Sequence, residues 1–168
     1  VFGPPSVYEK LASEEIVKRV PSVRSVRWAN SGTEAVMNAI RLVRAYTGKS
    51  KIARFEGAFH GTADDAEISI SPPIDQAGSE EAPNAVANYK GINQGVVDNV
   101  VVLPYNDPEA VDLILTENKN EIAGLFYDPK SGNYEIPHEF LRFVADKCKE
   151  LGIIFVMDEV KSLRVSYG

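Results

Sequence analysis

Four groups of residues carry the chemistry of a small-molecule site. Ser31-Gly32-Thr33 sets two hydroxyls around a glycine just ahead of a helical pattern. A turn of that kind presents unpaired backbone N–H groups and the positive end of a helix dipole, which together hold a phosphate. Phe59-His60 places an aromatic ring and an imidazole in a loop bounded by Gly57 and Gly61. Asp128 and Asp158 each follow an apolar run, as carboxylates at the ends of buried strands do. The first group also reads as a capping box, with Ser31 as N-cap and Glu34 closing the helix end, and that stretch taken alone favours the cap.

The elements that must position these groups follow from periodicity. Val23-Arg24-Ser25-Val26-Arg27-Trp28 alternates apolar and polar and predicts a strand, while Val36, Ala39, Ile40 and Val43 recur at helical spacing as far as a cap at Gly48. An earlier helix opens at Ser6 with Glu9 as capping partner, gains one apolar face from Tyr8, Leu11, Ala12, Ile16 and Val20, and stops at Pro21. Lys51 to Phe55 predicts a strand and Ile68-Ser69-Ile70 a short one. From Ser71 to Gly95, Pro, Gly, Asn and acidic residues without periodicity predict a long surface loop. Val100 to Leu103, Ile122 to Tyr127 and Ile153 to Met157 are continuous apolar runs, the pattern of strands buried on both faces. Between them lie a helix capped by Asp107-Pro108 and another from about Pro137 to Leu151, ended by Gly152.

Strands alternating with helices predict an α/β fold, a mainly parallel sheet with helices on both faces. Such sheets bind ligands at the carboxyl ends of their strands. All four groups follow strands, so one sheet edge collects them. That convergence turns Ser31-Gly32-Thr33 from a cap alone towards a ligand site.

Composition narrows the partners. The 168 residues suffice for one domain, and 18 Lys and Arg against 24 Asp and Glu give a formal charge of −6 with no basic run. Non-specific binding to nucleic acid or to an anionic membrane is therefore not expected. No apolar stretch is long enough to span a bilayer. Cys148, the single cysteine, suits a reducing compartment, and a cytoplasmic location is expected.

Familiar nucleotide and hydrolase patterns fail. Gly48-Lys49-Ser50 follows a helix and precedes a strand, the reverse of a P-loop. Neither Gly-x-Gly-x-x-Gly nor Gly-x-Ser-x-Gly occurs. His60 and Asp64 have the spacing of a metal pair, but two ligands do not make a site, and His138 reads as a solvated first-turn residue. No metal is expected.

A set of stretches in order along the chain resembles the class III (subgroup II) pyridoxal-phosphate-dependent aminotransferases, and within them the glutamate-1-semialdehyde aminomutase branch. These are Val20-Pro21-Ser22, Asn30-Ser31-Gly32-Thr33-Glu34-Ala35, Phe55-Glu56-Gly57-Ala58-Phe59-His60-Gly61, Pro104-Tyr105-Asn106-Asp107, Gly132-Asn133 and Asp158-Glu159-Val160. The resemblance implies the fold type I large domain, with pyridoxal 5′-phosphate as cofactor and an amino or keto acid as substrate. It implies that Ser31, Gly32 and Thr33 hold the phosphate. Phe59, with His60 beside it, and Val160 would take the two faces of the ring, and Asp158 the ring nitrogen. Asp128 and Asn133 would stand near the substrate or behind the cofactor. Asp128 replaces the family's usual Glu, one methylene shorter. Ser71-Pro72-Pro73-Ile74-Asp75-Gln76-Ala77-Gly78 stands where the aminomutases carry a Gly-Ser-Gly segment, so β-amino-acid aminotransferases of the subgroup remain open.

The family's Schiff-base lysine lies beyond the Asp-Glu-Val motif, and Lys161 reads as an ordinary loop charge. The resemblance thus implies that residues 1–168 are the central part of the large domain. The N-terminal segment, the lysine region and the small C-terminal domain are expected outside the chain, which by itself is expected to be inactive. The parent is expected to be a homodimer. The competing expectation is a non-catalytic binding or structural domain that keeps the fold.

Overall fold

The computed structural model describes residues 6–129 and 137–163. Five helices and four strands alternate along them: α1 (Val7–Arg19), α2 (Gly32–Thr47), β1 (Lys51–Phe55), α3 (Gln94–Val97), β2 (Val100–Leu103), α4 (Pro108–Asn118), β3 (Ile122–Tyr127), α5 (His138–Leu151) and β4 (Ile154–Met157), with a 3₁₀ turn at Asp64–Ala66 after β1. The strands form one sheet in the order β2-β1-β3-β4, and every pairing is parallel.

Alternation along the strands sorts the side chains to two faces. Ala53, Phe55, Leu103, Leu125 and Tyr127 face one way and pack with Val111 and Leu115 of α4 and with Phe140, Val144 and Cys148 of α5. Ile52, Val100, Val102 and Phe126 face the other way, against Val36, Ile40 and Val43 of α2. Each fully buried aliphatic or aromatic side chain contributes about 1.5–3 kcal/mol, so these two layers dominate the stability. β3 is buried throughout. Its Gly124 admits α2, because a Cβ there would lie 3.1 Å from Val43 Cγ2 and 3.2 Å from the Ile154 carbonyl oxygen. Deep in the α5 layer, burial pushes the Cys148 thiol up to about 12, so it acts as a small hydrophobe.

The helix ends follow their capping residues. Ser31 Oγ accepts from the Glu34 amide and Asp107 Oδ1 from the Ala110 amide. Gly48 and Gly152 close α2 and α5.

Several expectations fail, each for a local reason. Val23 to Trp28 joins no ladder among the described residues. Val20, Val23, Val26 and Ala29 are the half-buried residues, a period of three and not the period of two of a half-buried strand. The apolar face expected on the first helix is not buried, for no residue of α1 is and Tyr8 is 82% exposed. Its tie to the following segment is the Trp28 indole N–H, which donates to Ser13 Oγ at 2.9 Å. Ile68 to Ile70 makes a single bridge, Ile68 to Ala87, since Ser69 sits at φ 52° and breaks the extended run. The Ser71 to Gly95 stretch is irregular, as expected, yet its inner part is pinned: the Ser69 amide donates to the Val86 carbonyl and the Asn88 amide to the Glu67 carbonyl.

Among the described residues no helix is long and apolar enough to cross a membrane.

Candidate functional site

The carboxyl edge of the sheet is where the chemistry-bearing residues meet. The N-terminus of α2 is brought to the β1 loop by Gly61. At φ 87°, with a would-be Cβ 2.6 Å from Thr33 Oγ1 and 2.8 Å from Thr33 Cα, Gly61 is the residue type that fits. The Thr62 amide then donates to Thr33 Oγ1 at 3.1 Å. Ser31 Oγ and Thr33 Oγ1 thus accept bonds from protein amides, which leaves the Ser31 hydroxyl hydrogen to donate to a ligand, while the Thr33 hydroxyl also lies 3.4 Å from Thr62 Oγ1 and can exchange that contact for one. The amides of Gly32 and Thr33, first in α2, lie outside the i to i−4 ladder and add two donors at the positive end of the dipole. The Glu34 carboxylate accepts from the Asn30 amide at 2.8 Å, one residue ahead of the N-cap, so the expected Ser31 and Glu34 box forms with an offset return bond. Cap and anion cradle therefore coexist in the same residues.

A second cluster stands at the end of β4. Asp158 follows Met157, and its amide donates to the Tyr127 carbonyl, which holds the segment beside β3. His60 Nδ1 meets Asp158 Oδ2 at 2.9 Å, and the Val160 amide donates to Asp158 Oδ1 at 3.2 Å. Burial raises the Asp158 pKa, but the His60 hydrogen bond and charge, the Val160 amide and the Lys161 charge together outweigh it and hold the carboxyl below its usual range. The group is an anion at neutral pH, with a lone pair on each oxygen still free. His60 is 3% exposed, its ring edge-on to Phe126, and its Nε2 has no partner among the described residues. The His60 and Asp64 pairing weighed from spacing is replaced by His60 and Asp158.

Val160 links the clusters, since a Cβ on Gly32 would lie 4.0 Å from Val160 Cγ2. Val160 is 62% exposed and Phe59 50%, so each offers apolar surface outward. Asp128, buried at the end of β3, pairs with Lys161 through Oδ2 and Nζ at 2.5 Å. Lys161 is therefore more than a loop charge: it neutralises a buried carboxylate. The Tyr105 hydroxyl donates to the Asp128 carbonyl at 3.3 Å. Asn133 lies outside the described residues.

Sequence reasoning passed over two participants, and took Gly61 only as the end of its loop. Thr62 carried no signal. Arg54 did carry one, a lone charge inside an apolar strand. It is fully buried on β1, and its Nη1 and Nη2 donate to the carbonyls of Ala66 and Ala58.

The arrangement suits a phosphorylated, planar, cationic ligand: donors for a phosphate, apolar residues for ring faces and a fixed carboxylate for a ring N–H. Comparison with known proteins points the same way. The sequence profile of the class-III aminotransferases matches residues 5–162. A glutamate-1-semialdehyde 2,1-aminomutase of Methanococcus maripaludis is 40% identical over 99% of this chain and 38% of its own length. The crystal structure of an omega-transaminase from Sphaerobacter thermophilus superposes with a TM-score of 0.93 at 39% identity, covering 99% of this chain and 39% of that one. A transaminase with PLP bound gives 0.86 at 35% identity, over 99% and 38%. The chain spans less than two fifths of the length of each.

Proposed function

Because the chain belongs to the class-III aminotransferase family, we propose that the full protein binds pyridoxal 5′-phosphate at this sheet edge and moves an amino group on an amino or keto acid. The observation that carries the reading is the His60-held, ionised Asp158 on the same edge as the open N-terminus of α2.

When bound, the cofactor supplies a cationic ring that accepts electron density from a substrate carbon. Ser31, Gly32 and Thr33 bind its phosphate through hydroxyls and amides. Asp158 keeps the proton on the ring nitrogen by its negative charge, and His60 keeps Asp158 oriented and ionised. Phe59 and Val160 cover the two ring faces and exclude water from them. Asp128, fixed by Lys161, and Asn133 belong to the surroundings of the substrate. Residues 1–168 are the central part of the large domain, and the lysine that carries the cofactor comes from outside them, since Lys161 is committed to Asp128. The chain alone is inactive in this reading, and the parent is a cytoplasmic homodimer.

Two reactions fall within the proposal. Identity to the aminomutase favours isomerisation of glutamate 1-semialdehyde, while the 0.93 TM-score to the omega-transaminase favours transfer between two substrates. Full-length protein supplied with pyridoxal phosphate should show a visible band that borohydride bleaches, with the adduct on a lysine outside residues 1–168. Turnover of glutamate 1-semialdehyde without a second acceptor would assign the mutase, and a requirement for a keto acid the transferase. Absence of both band and adduct would overturn the reading and leave a non-catalytic binding domain.

A further inference from the structure

Arg54 is a charge where the fold calls for a hydrophobe. Its strand, β1, is the partner of both β2 and β3, and its side chain has no exposure. Burying a cation is costly unless its donors are satisfied, and a guanidinium offers them in fixed, coplanar directions; here both terminal nitrogens are bonded while Nε has no partner among the described residues. Here the two terminal nitrogens divide their work: Nη2 donates to the Ala58 carbonyl and Nη1 to the Ala66 carbonyl, the latter at the end of the Asp64–Ala66 3₁₀ turn. Ala58 and Ala66 are the two ends of one loop. Between them lie Phe59, His60 with its bond to Asp158, Gly61 packed on Thr33, and Thr62 with its amide bond to Thr33.

We propose that Arg54 is the positioning residue of the cofactor cradle: its guanidinium clamps both ends of the 58–66 loop, and through that loop sets His60 against Asp158 and Thr62 against Thr33.

The clamp needs the charged form. Burial lowers the Arg54 pKa to about 10, opposed by the neighbouring Tyr105 hydroxyl and the Glu67 carboxylate, so the group stays protonated at neutral pH. Glu67 is itself buried and takes a bond from Asn88 Nδ2 at 3.1 Å, which fixes the carboxylate beside the loop's end. Arg suits this place better than Lys: its planar fork sends a separate nitrogen to each carbonyl in a fixed direction, whereas an ammonium would have to bring both carbonyls to one atom.

The inference rests on pyridoxal phosphate as the ligand, although the clamp itself does not, and the test separates the two. In full-length protein with Arg54→Lys and Arg54→Met, amide hydrogen exchange over residues 57–66 should quicken about tenfold or more, most in Arg54→Met, while exchange in β3 is unchanged. In the same folded variants, pyridoxal phosphate should bind about 10- to 100-fold more weakly, Arg54→Lys recovering part of the loss. The pH midpoint of the bound cofactor's visible band should also move, which a loss of general stability would not cause. Unchanged exchange at 57–66 in Arg54→Lys, or unchanged affinity and midpoint in a folded variant, overturns the proposal. If Arg54→Met does not fold, Arg54→Lys decides alone. If the parent fails to bind pyridoxal phosphate, the function proposed above falls, and exchange still decides the clamp.

Discussion

His60 Nδ1 lies 2.9 Å from Asp158 Oδ2 although 98 positions separate the residues. One stands in the loop after β1 and the other past the end of β4, on strands to either side of β3. The pair closes the sheet edge across that intervening strand. With side-chain exposures of 2% and 13%, solvent screens it little.

Replacing His60 by Phe keeps a ring and removes the hydrogen bond and charge that lower the Asp158 pKa, while the burial that raises it remains. The carboxyl should then titrate at higher pH. A depressed carboxylate pKa gives stability that is complete above the unfolded value, about 3.9, and is lost as pH falls through the folded value. Wild type should therefore keep this contribution at pH 5, whereas His60→Phe should have less of it at pH 7 and so lose less as pH falls, the gap between the two proteins narrowing towards pH 3. Urea midpoints measured from pH 7 to pH 3 check this: an acid limb of the same depth in both proteins refutes it.

Asp158→Asn keeps the shape and removes the charge. The part of the acid limb due to this group should disappear, and in the full protein turnover should fall by at least about 100-fold, the scale of a lost, preorganised electrostatic contact. A variant that is folded and turns over at the wild-type rate would show that Asp158 does not face the cofactor.

Lys161→Met leaves the Asp128 carboxylate buried without its ammonium. Breaking a buried pair costs about 3–5 kcal/mol, but Lys161 is 40% exposed, so a loss of about 1–2 kcal/mol is expected. Adding Asp128→Asn should restore part of it, because the amide carries no charge to strand. Denaturation midpoints at a constant m value measure both effects, and additive losses in the double variant would show that the pair is not coupled.

Much of the frame was legible because its signals are local. Ile122 to Tyr127 and Val100 to Leu103 are apolar runs that only a strand buried on both faces requires, and Asp107-Pro108 marks its helix start unaided. The Val23 to Trp28 alternation misled because a strand is defined by its neighbour, and that segment pairs with none of the described residues. Which groups would share an edge followed from parallel topology; which of them would touch did not. The bonds from His60 to Asp158, Lys161 to Asp128 and Arg54 to two carbonyls depend on tertiary placement. A buried Arg in a strand is read from sequence as a break in pattern before it can be read as a clamp.

Gly61→Ala tests the closeness of the loop to α2. The new methyl carbon would stand 2.6 Å from Thr33 Oγ1 and 2.8 Å from Thr33 Cα, at a φ of 87° that L residues rarely adopt. Strain of that kind costs about 1–3 kcal/mol, so the loop should withdraw and break the bond from the Thr62 amide to Thr33. Thr33→Ala removes the nearer of these contacts but neither the backbone one nor the φ. The double variant should therefore remain as destabilised as Gly61→Ala, and pyridoxal phosphate should bind both more weakly than it binds Thr33→Ala alone. Thermal melts and cofactor titrations of the three full-length variants read this directly. Full recovery in the double variant would place the constraint in the hydroxyl and not in the approach of the two backbones.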